Sequence, residues 1–227
     1  MAQNISISKV TKAAHAMQNV LLILQAHTEM LFEQAKRDDA TKLIVKEAQA
    51  IYFNTRRLSR LLDSLMLYEN ATGELLRKES VDLSALLLSL VQEYRVAFPS
   101  VLFVITIPAA LFVAVDKEKL LVALRNVLDN AIKYGLGKGG NKNKIVLIVS
   151  SEPNACIISI ADQGQGIDAQ DLPKVFLPFY RGRSGMNNQG SGLGLAICQE
   201  IIRLHGGKVI LVSKKNKGVE VLITIPL

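Results

Sequence analysis

Gly190-Ser191-Gly192-Leu193-Gly194-Leu195-Ala196-Ile197 opens an apolar run that continues to Leu204, and Asp162-Gln163-Gly164-Gln165-Gly166 lies upstream of it. Glycines spaced this closely let backbone N–H groups approach a phosphate, and the helix that follows adds the positive end of its dipole. The outline is that of a nucleotide site. Turns and linkers use the same residues, so the reading needs support from the rest of the chain.

Composition narrows the choices. The chain has 227 residues, 49% of them apolar, and a mean hydropathy of +0.25, enough for hydrophobic cores in one large or two modest domains. The longest apolar runs, such as Val20 to Leu24 and Val101 to Ile107, fall far short of the roughly 20 residues of a membrane helix. The amino terminus has no basic region followed by a hydrophobic signal core. The expectation is a cytoplasmic chain, or the cytoplasmic part of something longer, with no membrane segment. Cys156 and Cys198 fall in a strand pattern and a helix pattern with no Cys/His cluster beside them, so both are expected buried and reduced. The net charge is +7, but the lysines are scattered through loops and polar helix faces, and there is no Trp for base stacking. No nucleic-acid partner is expected; a basic surface suits an anionic nucleotide or an acidic protein equally well.

From about Ser8 to Lys36, apolar residues recur at three- and four-residue spacing through Met17, Val20, Leu21, Leu24 and Leu31, with Thr28 in the same seam. This predicts a long amphipathic helix. Arg37-Asp38-Asp39 interrupts it, and a second helical pattern runs from about Thr41 to Tyr68 through Ile44, Ile51, Leu58, Leu62 and Leu65. Two such helices on so short a connection form an antiparallel hairpin. Alone, the hairpin leaves half its apolar stripe wet, which predicts a homodimer with a four-helix bundle. His15 stands one residue from the seam, with Asn19 one turn on and on the same face; His27 reads as an ordinary helix residue. The cluster Asn70-Ala71-Thr72-Gly73 ends the helical period, so the predicted domains are 1–73 and 74–227.

Beyond the boundary the character changes. Asp82 is a predicted cap for a helix through about Ala97, ended by Pro99-Ser100; Val101 to Ile107 and Phe112 to Val115 read as strands; and Asp116 caps a helix that sends Leu120, Leu121, Leu124, Val127, Leu128 and Ile132 to a core. Ile145 to Val149 pairs with Ile157 to Ile160, and Lys208 to Val212 pairs with Val219 to Ile225, as hairpins. Helices with a mostly antiparallel sheet and no repeated βαβ unit predict an α/β sandwich of the α+β class.

Asn126, Asn130, Lys133 and Tyr134 share one face of the Asp116 helix. Amide oxygen is a hard ligand suited to Mg²⁺, and a lysine supplies a point charge for the same phosphates, although a polar helix face would look similar. Asp162, at the end of a strand, could accept a hydrogen bond from an exocyclic amine, with Gly164 and Gly166 leaving room for a ring; an Asp turn is the commoner use of that pattern. Phe176, Phe179, Tyr180 and Arg181 read as a hinge anchored in the core before the polar stretch from Gly182 to Gly190, which reads as a lid or a plain connection.

Taken together, Asn126 to Tyr134, Asp162 to Ile167, Phe176 to Arg181 and Gly190 to Leu195 resemble, in order, the N, G1, F and G2 boxes of sensor histidine kinases. Ala14-His15-Ala16-Met17-Gln18-Asn19-Val20-Leu21 is similar to the family's phospho-acceptor segment, so the resemblance spans the chain. It implies an ATP-binding domain of the type shared by histidine kinases, gyrases and chaperone ATPases. It further implies that Asn130 holds Mg²⁺, Asn126 orients phosphate or imidazole, Lys133 contacts phosphate, Tyr134 lies against adenine and Asp162 reads the adenine amine. Gly164, Gly166, Ile167, Phe179, Arg181, Gly190, Ser191, Gly192, Leu193, Gly194 and Leu195 complete the implied ATP site. His15 would take the phosphoryl group and pass it to an aspartate of a response-regulator receiver domain. The chain departs from the family at Ala16, where an acidic residue usually takes the imidazole proton, and at Val20, where a proline usually bends the helix. Asn19 stands where the family's phosphatase residue orients a water. The resemblance therefore leaves open a phosphatase bias, or a degenerate kinase that binds ATP and regulates a partner without phosphoryl transfer. Another ATPase of this fold fits less well, because Asn126 stands where the ATP-hydrolysing branches carry a glutamate base.

Overall fold

The computed structural model divides the chain into two compact units, Met1–Gly73 and Glu74–Leu227. It describes residues 76–135, 144–182 and 192–227, together with residues 21, 22, 24–26, 28–30, 51, 55, 58 and 62 of the first unit. His15, Asn19, Gly190 and Ser191 lie outside the described residues, as do the interhelical connection and the Asn70–Gly73 break.

In the first unit every described residue is helical. Leu21 and Leu62, one from each predicted helix, are buried and form one apolar cluster. Thr28 is buried in the seam because its hydroxyl donates to the carbonyls of Leu24 and Gln25, which satisfies a polar group that would otherwise cost burial energy. Leu24, Ile51 and Leu58 belong to the predicted stripe and are about half exposed.

The second unit begins with a short strand, β1 (Glu79–Asp82), followed by α1 (Leu83–Ala97), β2 (Leu102–Thr106), β3 (Phe112–Val115) and α2 (Lys117–Tyr134). Then come β4 (Lys144–Glu152), β5 (Ala155–Asp162), a single 3₁₀ turn at Leu172–Lys174, α3 (Gly194–Leu204), β6 (Lys208–Ser213) and β7 (Val219–Pro226). Both predicted caps form: Asp82 accepts from Ala85 N, and Asp116 accepts from Lys119 N. β1 pairs antiparallel with β3 in a two-stranded sheet, while a five-stranded sheet runs β2-β4-β5-β7-β6. Within the larger sheet only β2–β4 is parallel, and the other pairs are antiparallel.

Strand periodicity decides what reaches the site. Cys156, Ile158, Ile160 and Asp162 are the buried positions of β5, so Asp162 projects from the same face as the three core residues before it. That face packs against the helices, with Leu124, Val127 and Leu128 of α2 and Ile197, Ile201 and Ile202 of α3 buried. Cys156 and Cys198 are both buried free thiols, and burial pushes Cys198 up to about 12. Leu121 and Ile132, expected in the core, are only half-buried. β1 was not legible in the sequence: Val81 is the only apolar residue of Glu79-Ser80-Val81-Asp82, so no alternation marks it. Its pairing with β3 makes it a strand.

Candidate functional site

The polar face of α2, the end of β5, the segment around Tyr180 and the first turn of α3 enclose a cleft of about 310 Å³. That is within the range of small-ligand sites. Asn126, Asn130, Lys133 and Tyr134 all line it, while Leu124 and Leu128 on the opposite side of the helix are fully buried. The helix is held by its apolar face and offers its polar face to a ligand.

Each polar group has a definite setting. Asn126 Nδ2 donates to Val122 O at 2.9 Å. Its Oδ1 lies beside Gly194, where an added Cβ would stand only 2.7 Å away. Glycine at the first position of α3 thus lets the helix start approach the Asn126 amide. The Lys133 ammonium sits 4.9 Å over the Tyr134 ring, a cation–π contact that holds the charge at the cleft wall.

Asp162 is buried at one end of the cleft, among Ile160, Val219, Val221 and Leu211. Burial pushes its carboxyl above the usual range, opposed by the N–H groups of Gly164 and Val219. Both N–H groups donate to Oδ1, at 2.8 and 3.3 Å. Oδ2 is thereby left for a donor arriving in the cleft. The turn after Asp162 is clasped by the β6–β7 turn: Asn216 N donates to Gln165 O, Gly218 N to Gly164 O, and Ile167 N to Ser213 Oγ.

Here one expectation is corrected. Gly164 and Gly166 do not chiefly leave room for a ring, because a Cβ at Gly164 would strike Tyr134 O and one at Gly166 would strike Lys214 O. Their missing side chains let backbone pack on backbone. A second correction concerns the aromatic segment: Leu177 and Phe179 are about half exposed and Phe176 is half-buried, so it is not anchored in the core by its phenylalanines. One tie to the fold is polar, a hydrogen bond from Tyr180 OH to Asp171 Oδ1 at 2.8 Å.

Of the remaining predicted residues, Gly166, Ile167, Arg181, Gly192, Gly194 and Leu195 line the cleft. Gly164, Phe179 and Leu193 do not; Leu193 is fully buried, and its carbonyl accepts from Ile197 N in the first turn of α3. The cleft also contains residues that sequence reasoning missed, among them Asp171, Gly182, Leu211 and Val221. The last two read only as strand residues, and which strand lies beside Asp162 is a matter of sheet order. Among the described residues no group of three His, Cys, Asp or Glu side chains could hold a metal.

The family model of the histidine kinase-, DNA gyrase B-, and HSP90-like ATPases matches residues 115–227, the segment that builds this cleft. The sensor protein kinase WalK of Staphylococcus haemolyticus is 28% identical over 222 residues, covering 96% of this chain. Residues 115–227 thus form a domain of that ATPase family, and nearly the whole chain is similar to sensor histidine kinases. WalK of Staphylococcus aureus is 27% identical over 224 residues, and the chain spans 36% and 52% of the lengths of these two relatives. Among solved structures, the mycobacterial sensor histidine kinase MprB aligns with TM-score 0.57 and 28% identity, over 66% of this chain and 97% of that one. The histidine kinase ThkA, in complex with the response regulator TrrA, aligns over 99% of this chain and 63% of that one with TM-score 0.64; at 23% identity it bears on the fold alone. The ATPase domain of this chain is an α/β sandwich with its cleft between α2 and α3. No helix among the described residues is long and apolar enough to cross a membrane.

Proposed function

We propose that this chain is a histidine kinase core that binds Mg-ATP in the cleft, autophosphorylates on His15 and passes the phosphoryl group to an aspartate of a response regulator. The observation that carries the nucleotide half is the pairing of a buried acceptor, Asp162, in an apolar recess with a polar helix face bearing Asn126, Asn130 and Lys133. An adenine needs the first, and a metal-bound triphosphate needs the second. The donor set fits: a carboxylate for an exocyclic amine, an amide oxygen at Asn130 for Mg²⁺, an ammonium for phosphate, and a glycine at 194 that a Cβ would crowd. When bound, Mg-ATP supplies the transferable phosphoryl group with part of its charge neutralised.

The chain's own residues would do the positioning. Asp162 would hold the base, with Tyr134 and Ile167 beside it on the cleft wall, and Lys133 and the amino-terminal end of α3 would supply positive charge for the phosphates. Among the chain's structural relatives, ShkA is known in complex with AMPPNP and ThkA in complex with a response regulator. Half-exposed Leu24, Ile51 and Leu58 support dimerisation through residues 1–73, since a second copy would cover them. On this reading residues 1–73 carry dimerisation and the phospho-acceptor, and residues 74–227 carry catalysis.

Ala16 favours a second reading. Without an acidic neighbour His15 lacks a proton acceptor, a role typically worth about 10²–10⁴-fold in general-base catalysis, and Asn19 is placed in sequence to orient a water for phosphatase action. Incubation with γ-labelled ATP separates the readings. Acid-labile label that disappears in His15→Gln is the expected outcome, and Ala16→Glu is expected to raise the labelling rate at least about tenfold, or about 1.4 kcal/mol of barrier. Bound ATP with no label in either protein would leave a regulatory ATP-binding module or a phosphatase.

A further inference from the structure

Asp171 is 7% exposed and begins the 3₁₀ turn Leu172–Lys174, at the position where an aspartate ordinarily caps its own helix. Here the side chain makes no cap hydrogen bond. Its backbone is fixed in consecutive tight turns, with Asp171 N donating to Asp168 O and Lys174 N donating to Asp171 O, both at 2.9 Å. The carboxylate accepts instead from Tyr180 OH, nine residues on, at 2.8 Å. It also lies against Gly182, where a Cβ would stand 2.6 Å from Oδ2. The same carboxylate therefore touches two points of the chain segment that forms one wall of the cleft.

That wall is joined to the far side of the site. Gly192 adopts a left-handed backbone, φ 75°, and a Cβ there would lie 2.8 Å from Phe179 C and Tyr180 O. The residues just before α3 are thus seated on the backbone of Tyr180, the residue that Asp171 holds. Gly194, two residues further on, meets the Asn126 amide.

We propose that Asp171 is a positioning residue of the nucleotide site: through Tyr180 it sets where the start of α3 stands relative to Asn126, and so the phosphate end of the cleft. The inference rests on the nucleotide reading given above. Asp171 touches no reacting atom in this scheme. It acts through the Tyr180 phenol and the Gly192 contact, so its loss falls on phosphate-bearing ligands and spares the base recess around Asp162, which β5 and the β6–β7 turn hold independently.

The test is calorimetric binding of Mg-AMPPNP and of adenosine to the full chain and to Asp171→Ala, Asp171→Asn, Tyr180→Phe and the Asp171→Ala/Tyr180→Phe double variant. Asp171→Ala and Tyr180→Phe are each expected to weaken Mg-AMPPNP at least about tenfold, the low end for losing a hydrogen bond to a charged group, and to change adenosine less than about twofold. The double variant is expected to be no weaker than the worse single one, because both remove one bond. Asp171→Asn, which keeps an acceptor for the phenol, is expected to recover most of the loss. Equal losses for the two ligands, additive effects in the double variant, or no rescue by Asn would each overturn the proposal. If Asp171→Ala does not fold, Tyr180→Phe removes the same bond from the other side and carries the comparison. A wild-type chain that binds neither ligand would instead overturn the nucleotide reading itself.

Discussion

Two buried aspartates, Asp116 and Asp162, each accept two backbone N–H groups, yet they do opposite work. At Asp116 the acceptors are divided: Oδ2 takes Arg77 N and Oδ1 takes Lys119 N, at 3.0 and 3.1 Å. Burial would raise this carboxyl, but the two N–H groups together with the charges of Lys119 and His205 hold it below the usual range. Its own backbone N–H donates to His205 Nε2 at 2.9 Å, tying the start of α2 to the end of α3. At Asp162 both N–H groups fall on one oxygen, and burial wins. A carboxylate whose two oxygens are both engaged is part of the frame. One with a spare oxygen in an apolar recess stores an unmet need that a ligand can fill.

The contrast can be broken most severely at Gly218. Its φ is 81°, and a Cβ would lie 2.0 Å from Asp162 O, so Gly218→Ala forces the two clasped turns apart. A loss of about 3 kcal/mol or more in unfolding free energy is expected, read from urea denaturation. An unchanged midpoint would mean that the β6–β7 turn does not hold Asp162.

Asp162→Asn comes next. Asn keeps the Oδ1 acceptor but places a donor toward the cleft, so ATP binding is expected to weaken by about 1.5–3 kcal/mol, with GTP losing less. Because the folded pKa of Asp162 is raised, the folded state resists its ionisation, and this weighs against the fold as pH rises. The variant should therefore melt no lower than wild type at neutral pH. Asp116→Ala is the converse: it is expected to lose about 1–2 kcal/mol of stability with ATP affinity nearly unchanged. Equal affinity losses in the two variants would erase the distinction between frame and site.

The smallest effect is one of pH. His205 is buried, and its Nδ1 lies 2.8 Å from Ile201 O; since Nε2 accepts from Asp116 N, Nδ1 carries the proton. Burial lowers its pKa below 6.5, against the Ile201 carbonyl and Asp116, with Lys78 and Lys119 adding to the lowering. The unfolded chain takes up the proton first, so His205 contributes full stability above about pH 6.5 and loses it progressively as the pH falls through and below that value. Urea midpoints at pH 7.5 and 5.5 should fall further for wild type than for His205→Gln. A parallel decline would remove His205 from the acid response.

Much of this was legible because it is local. Period-3.6 spacing placed Asn126, Asn130, Lys133 and Tyr134 on one face of α2 opposite Leu124 and Leu128, and the Asp82 and Asp116 caps follow from side-chain chemistry three residues away. Alternation in β5 turned Asp162 inward. The family resemblance rested on such local patterns.

What the sequence determined by itself was therefore most of the helices and strands of residues 76–227, the main faces they bury, and the chemical types available for a nucleotide. What only the tertiary structure decided was which of those groups meet. The strand β1 exists through its partner β3, the glycines at 164 and 166 answer to backbones some 30 and 48 residues away, and Asp171 abandons its own helix for a tyrosine. Local preference is set within a few residues by sterics and capping. These contacts depend on sheet order and close packing between segments distant in the chain, and no short-range pattern encodes them.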